Sequence, residues 1–226
     1  MRLGALFSGG KDSCLAIHLA GQDHEITCLI TMVSDNPHSY MFHTPNITLT
    51  MLQAMAAEIP HVFHRTPGKK EEELADLENA VRQAVDEYDI EGIVTGAIAS
   101  EYQRSRIADI CDTLEIACIN PLWQMDQEEV LRSVIKDDFR VMMTGVFAES
   151  LGEDWLGRII DKEAVDELVS LGESSGINPS GEGGEIETTV LDAPFYKQRL
   201  IVRNSKIQFH RDSGVLVIVN ADLEPK

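Results

Sequence analysis

Six consecutive residues, Ser8-Gly9-Gly10-Lys11-Asp12-Ser13, form the densest run of chemically able side chains in the sequence. A short apolar run, Leu3 to Phe7, precedes them. A segment with Leu15, Ile17 and Leu19 among small residues, Asp12 to Ala20, follows. A strand, a glycine turn and a helix N-terminus in that order make an anion site. Free backbone N–H groups and the positive end of the helix dipole then point at one place. Gly9 and Gly10 let the backbone approach a phosphate closely. Ser8 and Ser13 add hydroxyl donors, and Lys11 adds a positive charge. The loop is not the P-loop of kinases and GTPases. That motif needs glycine where Ala5 stands and Ser or Thr where Asp12 stands.

Two further stretches could do chemistry. Gly96-Ala97-Ile98-Ala99-Ser100-Glu101-Tyr102-Gln103-Arg104-Ser105-Arg106 follows a strand-like Ile93 to Thr95. That puts Gly96 at the carboxyl edge of a sheet, where ligands of open α/β folds bind. Arg104 and Arg106 open the next helix, and arginine suits phosphate because its donors are paired and its charge is permanent. Solvated helix charge, or a pair with Glu101, is the alternative. Gly181-Glu182-Gly183-Gly184-Glu185-Ile186-Glu187-Thr188 has the opposite character, with three carboxylates and three glycines. It would repel a triphosphate unless a metal intervened, and it suits a ligand of cationic character. Strand alternation from this loop would put Glu185 and Glu187 on one face.

The elements that must hold these segments alternate. Strand-like runs at 3–7, 26–33, 61–64, 93–95 and 116–119 are separated by helix-like segments at 12–20, 46–59, 71–88 and 102–114. The 71–88 segment carries Leu74, Leu77, Val81 and Val85 on one stripe. Such alternation implies parallel strands with right-handed crossovers. The character changes near Pro121-Leu122-Trp123. Helices are expected over 126–136 and 161–171, with a strand between them over 140–147. A turn-rich stretch at 174–181 leads into strands at 186–191, 200–203, 207–210 and 215–219, with turns at Asn204-Ser205 and Asp212-Ser213-Gly214. The expected architecture is α/β. A doubly wound, mostly parallel nucleotide domain (1–125) precedes a smaller α+β domain (126–226).

The 226 residues allow a sizeable core, and 43% of them are hydrophobic. No run is long enough to span a membrane, and the N-terminus is too short an apolar run for a signal peptide. A soluble, cytoplasmic protein with no membrane partner is expected. A formal charge of -19, from 38 acidic and 19 basic residues, opposes broad capture of nucleic acid. Cys14, Cys28, Cys111 and Cys118 form no CxxC pair. Reduced, unreactive thiols are therefore expected rather than a zinc site.

The loop Ser8 to Ser13 resembles the SGGxDS loop of the ATP pyrophosphatases. Those enzymes cleave ATP between its α- and β-phosphates and adenylate a substrate oxygen. Three further stretches narrow the resemblance: Gly96 to Arg106 running on to Pro121-Leu122-Trp123, Gly181 to Thr188, and Met41-Phe42-His43-Thr44-Pro45-Asn46. Together with the loop they resemble the diphthine–ammonia ligase family over nearly the whole chain. The resemblance implies an adenine nucleotide alpha-hydrolase-like, Rossmann-like nucleotide domain.

It also implies ATP, Mg²⁺, ammonium and diphthine-modified translation elongation factor 2 as ligands and partners. ATP would activate the diphthine carboxylate as an acyl-adenylate, and ammonia would displace AMP. Ser8, Gly9, Gly10, Lys11, Asp12 and Ser13, with Gly96, Arg104 and Arg106, would hold the nucleotide. Lys11, Asp12, Ser13, Glu182 and Glu185 would serve catalysis. Asp12 would hold Mg²⁺ or simply favour the helix N-terminus. Glu182, Gly183, Gly184, Glu185 and Glu187 would receive the trimethylammonium of diphthine, with Trp123 and Tyr196 as aromatic faces. His43 is read as a packing or hydrogen-bonding residue. Free ammonium is expected as nitrogen source, since no glutaminase nucleophile is visible. The oligomeric state is open, a homo-oligomer included. The competing readings are an RNA thiolation enzyme with the same loop, or a non-catalytic ATP sensor.

Overall fold

The computed structural model describes residues 1–36, 46–68 and 72–226. His43 and most of the Met41-to-Asn46 motif therefore lie outside the described residues; Asn46 lies within them.

The first sheet is all parallel, with strand order β3-β2-β1-β4-β5. Its strands are β1 (Arg2–Leu6), β2 (Glu25–Ser34), β3 (His61–Thr66), β4 (Gly92–Val94) and β5 (Ala117–Ile119). Four helices connect them: α1 (Lys11–Ala20), α2 (Thr50–Ala57, entered by a 3₁₀ turn at Ile47–Leu49), α3 (Glu72–Tyr88) and α4 (Glu101–Thr113). The chain winds outward from β1 to β3, then crosses back to β4. The strand order thus reverses between β1 and β4, and the crevice outside their carboxyl ends is where such folds bind ligands. The Ser8–Ser13 loop follows β1 and the Gly96 turn follows β4, so topology alone brings these two segments together.

The second sheet is antiparallel, in the order β7-β6-β9-β8. It comprises β6 (Arg140–Val146), β7 (Ile186–Asp192), β8 (Gln198–His210) and β9 (Ser213–Pro225), with α5 (Gln127–Lys136) and α6 (Lys162–Ser175). Asp126 caps α5 through the N–H groups of Glu128 and Glu129, and Asp161 caps α6 through that of Ala164. The turn expected at Asn204-Ser205 is absent. β8 runs straight through it as one strand with an irregular register there, opposite Asn220 and Ile218 of β9. Two small polar residues read locally as a turn are here a break in the ladder of a long hairpin.

Two apolar clusters hold the layers. One packs α3 and α4 on the parallel sheet through Cys28, Ile30, Leu77, Val81, Ile93 and Ile110. In α3 the buried apolar positions are Leu77, Ala80, Val81 and Ala84, an i, i+3, i+4, i+7 stripe. The other cluster joins both sheets: Leu3, Leu15 and Val94 share it with Val141, Met143, Val190 and Tyr196. Helix α1 lies within it, which is why Cys14, Leu15, Ala16 and Ile17 are all buried. Among the described residues no helix is long and apolar enough to cross a membrane.

Candidate active site

A cavity of about 400 Å³ opens at the reversal between β1 and β4. Three stretches distant in sequence line it. Ser8, Asp12 and Ser13 come from the first loop, Gly96, Ser100 and Gln103 from the second, and Gly181 to Gly184 with Glu187 from the third. Leu6, Phe7, Ile30, Met32, Ile47 and Ile107 give it an apolar part.

The first loop is shaped by the second sheet. Gly9 has φ of 75°, a left-handed conformation open to glycine. Its carbonyl accepts from Val190 N–H at 2.9 Å and from Gln53 Nε2 at 2.9 Å. Lys11 N–H donates to Thr188 Oγ1 at 3.1 Å. The free edge of β7 is therefore the bed on which the loop lies. Ser13 Oγ donates to the Gly10 carbonyl at 3.1 Å and sits 3.2 Å from Ser8 Oγ. Gly10 is the N-cap of α1 and has no side chain to cap that turn; Thr188 Oγ1 takes the N–H of Lys11, the first residue of the helix. The dipole end of α1 thus meets the cavity with Asp12 as the acidic residue of its first turn.

Lys11 is buried, and its ammonium is spoken for. Nζ donates to Asp12 Oδ2 at 3.0 Å and to the carbonyl oxygen of Ser180. Asp12 lines the cavity, and its Oδ1 is buried with no hydrogen-bond partner. An orphaned carboxylate oxygen fits a hard cation. Among the described residues no three His, Cys, Asp or Glu side chains gather as a metal cage. A magnesium ion held by Asp12 would therefore complete its shell with phosphate oxygens and water, its usual arrangement. Glu187 shares the cavity wall, and burial pushes its carboxyl up to about 7, with Asp12 adding to the rise and Lys11 opposing it.

Gly96 packs on the first turn of α1. A Cβ there would sit 2.8 Å from the Asp12 carbonyl carbon and the Ser13 nitrogen, so a larger residue would push the two loops apart. Glu182 crosses to the second loop: its Oε1 accepts from the N–H groups of Ala99 at 2.8 Å and Ser100 at 3.0 Å. Its charge thus faces the N-terminus of α4. Glu185 turns back into its own loop, where Oε1 accepts from the Asn178 N–H at 3.1 Å and Nδ2 at 3.3 Å. Its Oε2 is buried without a partner. The shared strand face expected for Glu185 and Glu187 does not form, because β7 begins only at Ile186 and Glu185 belongs to the loop.

The remaining candidates stand away from the cavity wall. The helical phase of α4 turns Ser100, Gln103 and Ile107 inward. Arg104 instead makes a two-bond pair with Glu101, at 2.9 and 2.6 Å, and stacks over Trp123 at 5.0 Å. Arg106 lies over Tyr102 at 5.3 Å. Tyr196 is a core residue, 2% exposed, with its hydroxyl 3.8 Å from Cys14 Sγ. It is an aromatic filler between α1 and the second sheet and offers no face to a ligand from solvent. None of the four cysteines is among the lining residues.

Sequence reasoning missed Gln53, Ser180 and Thr188, which shape the first loop, and Ser100 and Gln103, which line the cavity. A helix phase fixed from the buried Ile107 and Ile110 would have found Gln103. No local signal marks Gln53.

The chain matches the diphthamide synthase N-terminal domain family over residues 1–117 and the diphthamide synthase C-terminal domain family over residues 126–223. The diphthine–ammonia ligase of Homo sapiens is 33% identical over 233 residues, covering 93% of this chain and 86% of the relative. That of Bos taurus is 32% identical over 231 residues, with the same coverage. A solved structure, described as a predicted subunit of a tRNA methyltransferase from Methanocaldococcus jannaschii, is 21% identical. It covers 86% of this chain and 98% of its own, at a TM-score of 0.44. With both family domains matched in order along a chain whose three loops meet in one cavity, the protein belongs to the diphthamide synthase family.

Proposed function

We propose that the protein is an ATP-dependent ligase that amidates the diphthine carboxylate of elongation factor 2 in the cytoplasm. Ammonium is the nitrogen source, and AMP and pyrophosphate are the by-products. One observation carries this reading above the others. A helix N-terminus behind a Ser-Gly-Gly turn and a glycine loop bearing carboxylates face each other across one cavity.

A carboxylate is a poor electrophile, and adenylation turns its oxygen into a good leaving group. The protein's task is to hold the triphosphate and the carboxylate in line and to stabilise the charge that moves to the leaving pyrophosphate. In this reading the amides of Gly9, Gly10, Asp12 and Ser13 and the hydroxyls of Ser8 and Ser13 take the phosphates, the Lys11 amide being held by Thr188. The apolar wall of Phe7, Ile30, Met32 and Ile47 takes the base. Asp12 holds Mg²⁺, which neutralises phosphate charge when bound. Lys11 keeps the turn in place, and its positive charge lies close behind the phosphates. Arg104 and Arg106 reach the nucleotide only by leaving Glu101 and Tyr102.

The Gly181–Thr188 loop takes the modified side chain. Glu182 and Glu185 hold the loop's shape, and Glu187, its carboxyl held up to about 7 by burial, gives up its proton and presents charge once the quaternary ammonium lies beside it. Such a cation cannot donate hydrogen bonds and must be held by charge and apolar contact. An RNA thiolation reading fares less well, because no cysteine is among the cavity-lining residues and the net charge is -19.

Incubation with ATP, ammonium and diphthine-bearing elongation factor 2, followed by mass measurement of the modified histidine, tests the proposal. Conversion of acid to amide, dependent on both ATP and ammonium, is the expected result. ATP cleavage with no change in the factor's mass would exclude it.

A further inference from the structure

Gln53 lies on α2, outside every motif, and is 1% exposed. Its side-chain Nε2 donates to two main-chain oxygens, Gly9 at 2.9 Å and Val190 at 2.8 Å. Both hydrogens of that amide are thereby used. Both lone pairs of the Gly9 carbonyl are used as well, by Gln53 and by Val190 N–H. The fit is mutual: a Cβ on Gly9 would fall 2.0 Å from Gln53 Oε1.

We propose that Gln53 is a positioning residue for the phosphate loop, fixing the Gly9–Gly10 peptide so that the Gly10 N–H faces the cavity. This role rests on the loop's being a nucleotide site. The reason is peptide planarity. The Gly9 C=O and the Gly10 N–H share one plane and point in opposite directions across a trans bond, and the chain has no cis peptide among its described residues. With the carbonyl held against α2 and β7, the N–H turns to the other side. There it donates a long hydrogen bond, 3.4 Å, to Ser8 Oγ, and Ser8 lines the cavity, so a phosphate oxygen would take that donor over from the hydroxyl. A Gly-Gly peptide is the easiest in the chain to reverse, since neither residue has a Cβ to resist the new φ and ψ. Reversal would aim a carbonyl oxygen at phosphate oxygens and withdraw a charge-assisted donor. Gln53 acts from a helix 44 residues away and blocks that reversal. The same amide ties the loop to β7, so the two sheets share one fastening at the catalytic turn.

Two variants of equal length separate this role from simple stability. Gln53→Met keeps the apolar length and loses both donors. Gln53→Glu keeps the shape. Ionised, it faces two carbonyl oxygens and repels them; protonated, it regains one O–H donor. Burial raises the pKa of such a carboxyl, so lowering the pH moves it towards the protonated form. ATP affinity is read by calorimetry on the full chain, alongside AMP release and thermal melting. Gln53→Met is expected to bind ATP about tenfold more weakly or worse, while the KM for the modified factor moves by less than about twofold. Gln53→Glu is expected to match it near about pH 8 and to regain at least about threefold in ATP affinity, relative to wild type, near about pH 6. A folded Gln53→Met that binds ATP as wild type does overturns the role. Equal weakening of ATP and factor binding by both variants at both pH values also overturns it, since that marks general loosening. If Gln53→Met does not fold, the pH ratio of Gln53→Glu decides alone. Wild-type protein that binds no ATP overturns the nucleotide reading itself, and this role with it.

Discussion

The ammonium of Lys11 donates to the carbonyl oxygen of Ser180, 169 residues further along the chain. The same ammonium holds Asp12 Oδ2, so one buried cation joins the first loop, the candidate metal carboxylate and the entry to the third loop. Removing it leaves a buried carbonyl without its donor, at a cost of about 1–3 kcal/mol, and takes the counter-charge from a partly exposed carboxylate.

Lys11→Ala should therefore lower both the melting temperature and turnover, with turnover falling by roughly 10²-fold or more. Ser13→Ala removes a hydroxyl that bonds the Gly10 carbonyl and pairs with Ser8 Oγ, both within the loop itself. It should lower turnover with a much smaller change in melting temperature. Thermal melts run beside AMP-release assays distinguish the two. Equal loss of melting temperature in both variants would show that Ser13, too, acts through the fold.

Turnover should release AMP and pyrophosphate, because the loop departs from the kinase pattern at Ala5 and Asp12. Chromatography of the nucleotide products decides this. ADP and phosphate as sole products would rule out adenylation.

Glu182 and Glu187 should behave differently although they belong to one motif. Glu182 serves the amides of Ala99 and Ser100, a capping role worth about 1 kcal/mol. Glu182→Gln retains a carbonyl acceptor and should melt near wild type, whereas Glu182→Ala should melt lower. Glu187→Gln should raise the KM for the modified factor more than Glu182→Gln does. Steady-state kinetics with varied factor at saturating ATP tests the order. The reverse order would make Glu182 the charge that the acceptor meets.

Stability should carry the signature of Glu187. Its carboxyl is raised from the ordinary 4.5 to about 7, chiefly by burial. Between those values the folded chain holds a proton that the unfolded chain has lost. Stability from this group is therefore present at low pH and declines as pH rises through that window, by at most about 1.4 kcal/mol per pH unit. Glu187→Gln has no such proton to lose. Denaturant unfolding of both proteins across this range should show the wild type losing ground to the variant up to about pH 7, and parallel behaviour above it. Parallel curves throughout would mean that Glu187 is solvated and ionised at neutral pH.

The sequence by itself determined the parallel α/β layer and the place of the first loop between β1 and α1. Alternating apolar runs and amphipathic helices leave few other topologies, and a Ser-Gly-Gly-Lys turn between strand and helix has few uses besides binding an anion. Tertiary structure decided which side chains face the cavity, because that depends on helix phase and on where strands begin. Arg104 and Gln103 are adjacent in sequence, yet only Gln103 turns inward. Glu185 and Glu187 are two residues apart, yet the onset of β7 at Ile186 separates them. Tyr196 looked like an available aromatic and is packed in the core. Gln53 had no local mark at all. Its importance comes from two carbonyl groups, Gly9 and Val190, that lie 44 residues before it and 137 after it. Hydrogen bonds of such range are fixed only when both sheets have closed on α1, and no pattern along the chain encodes them.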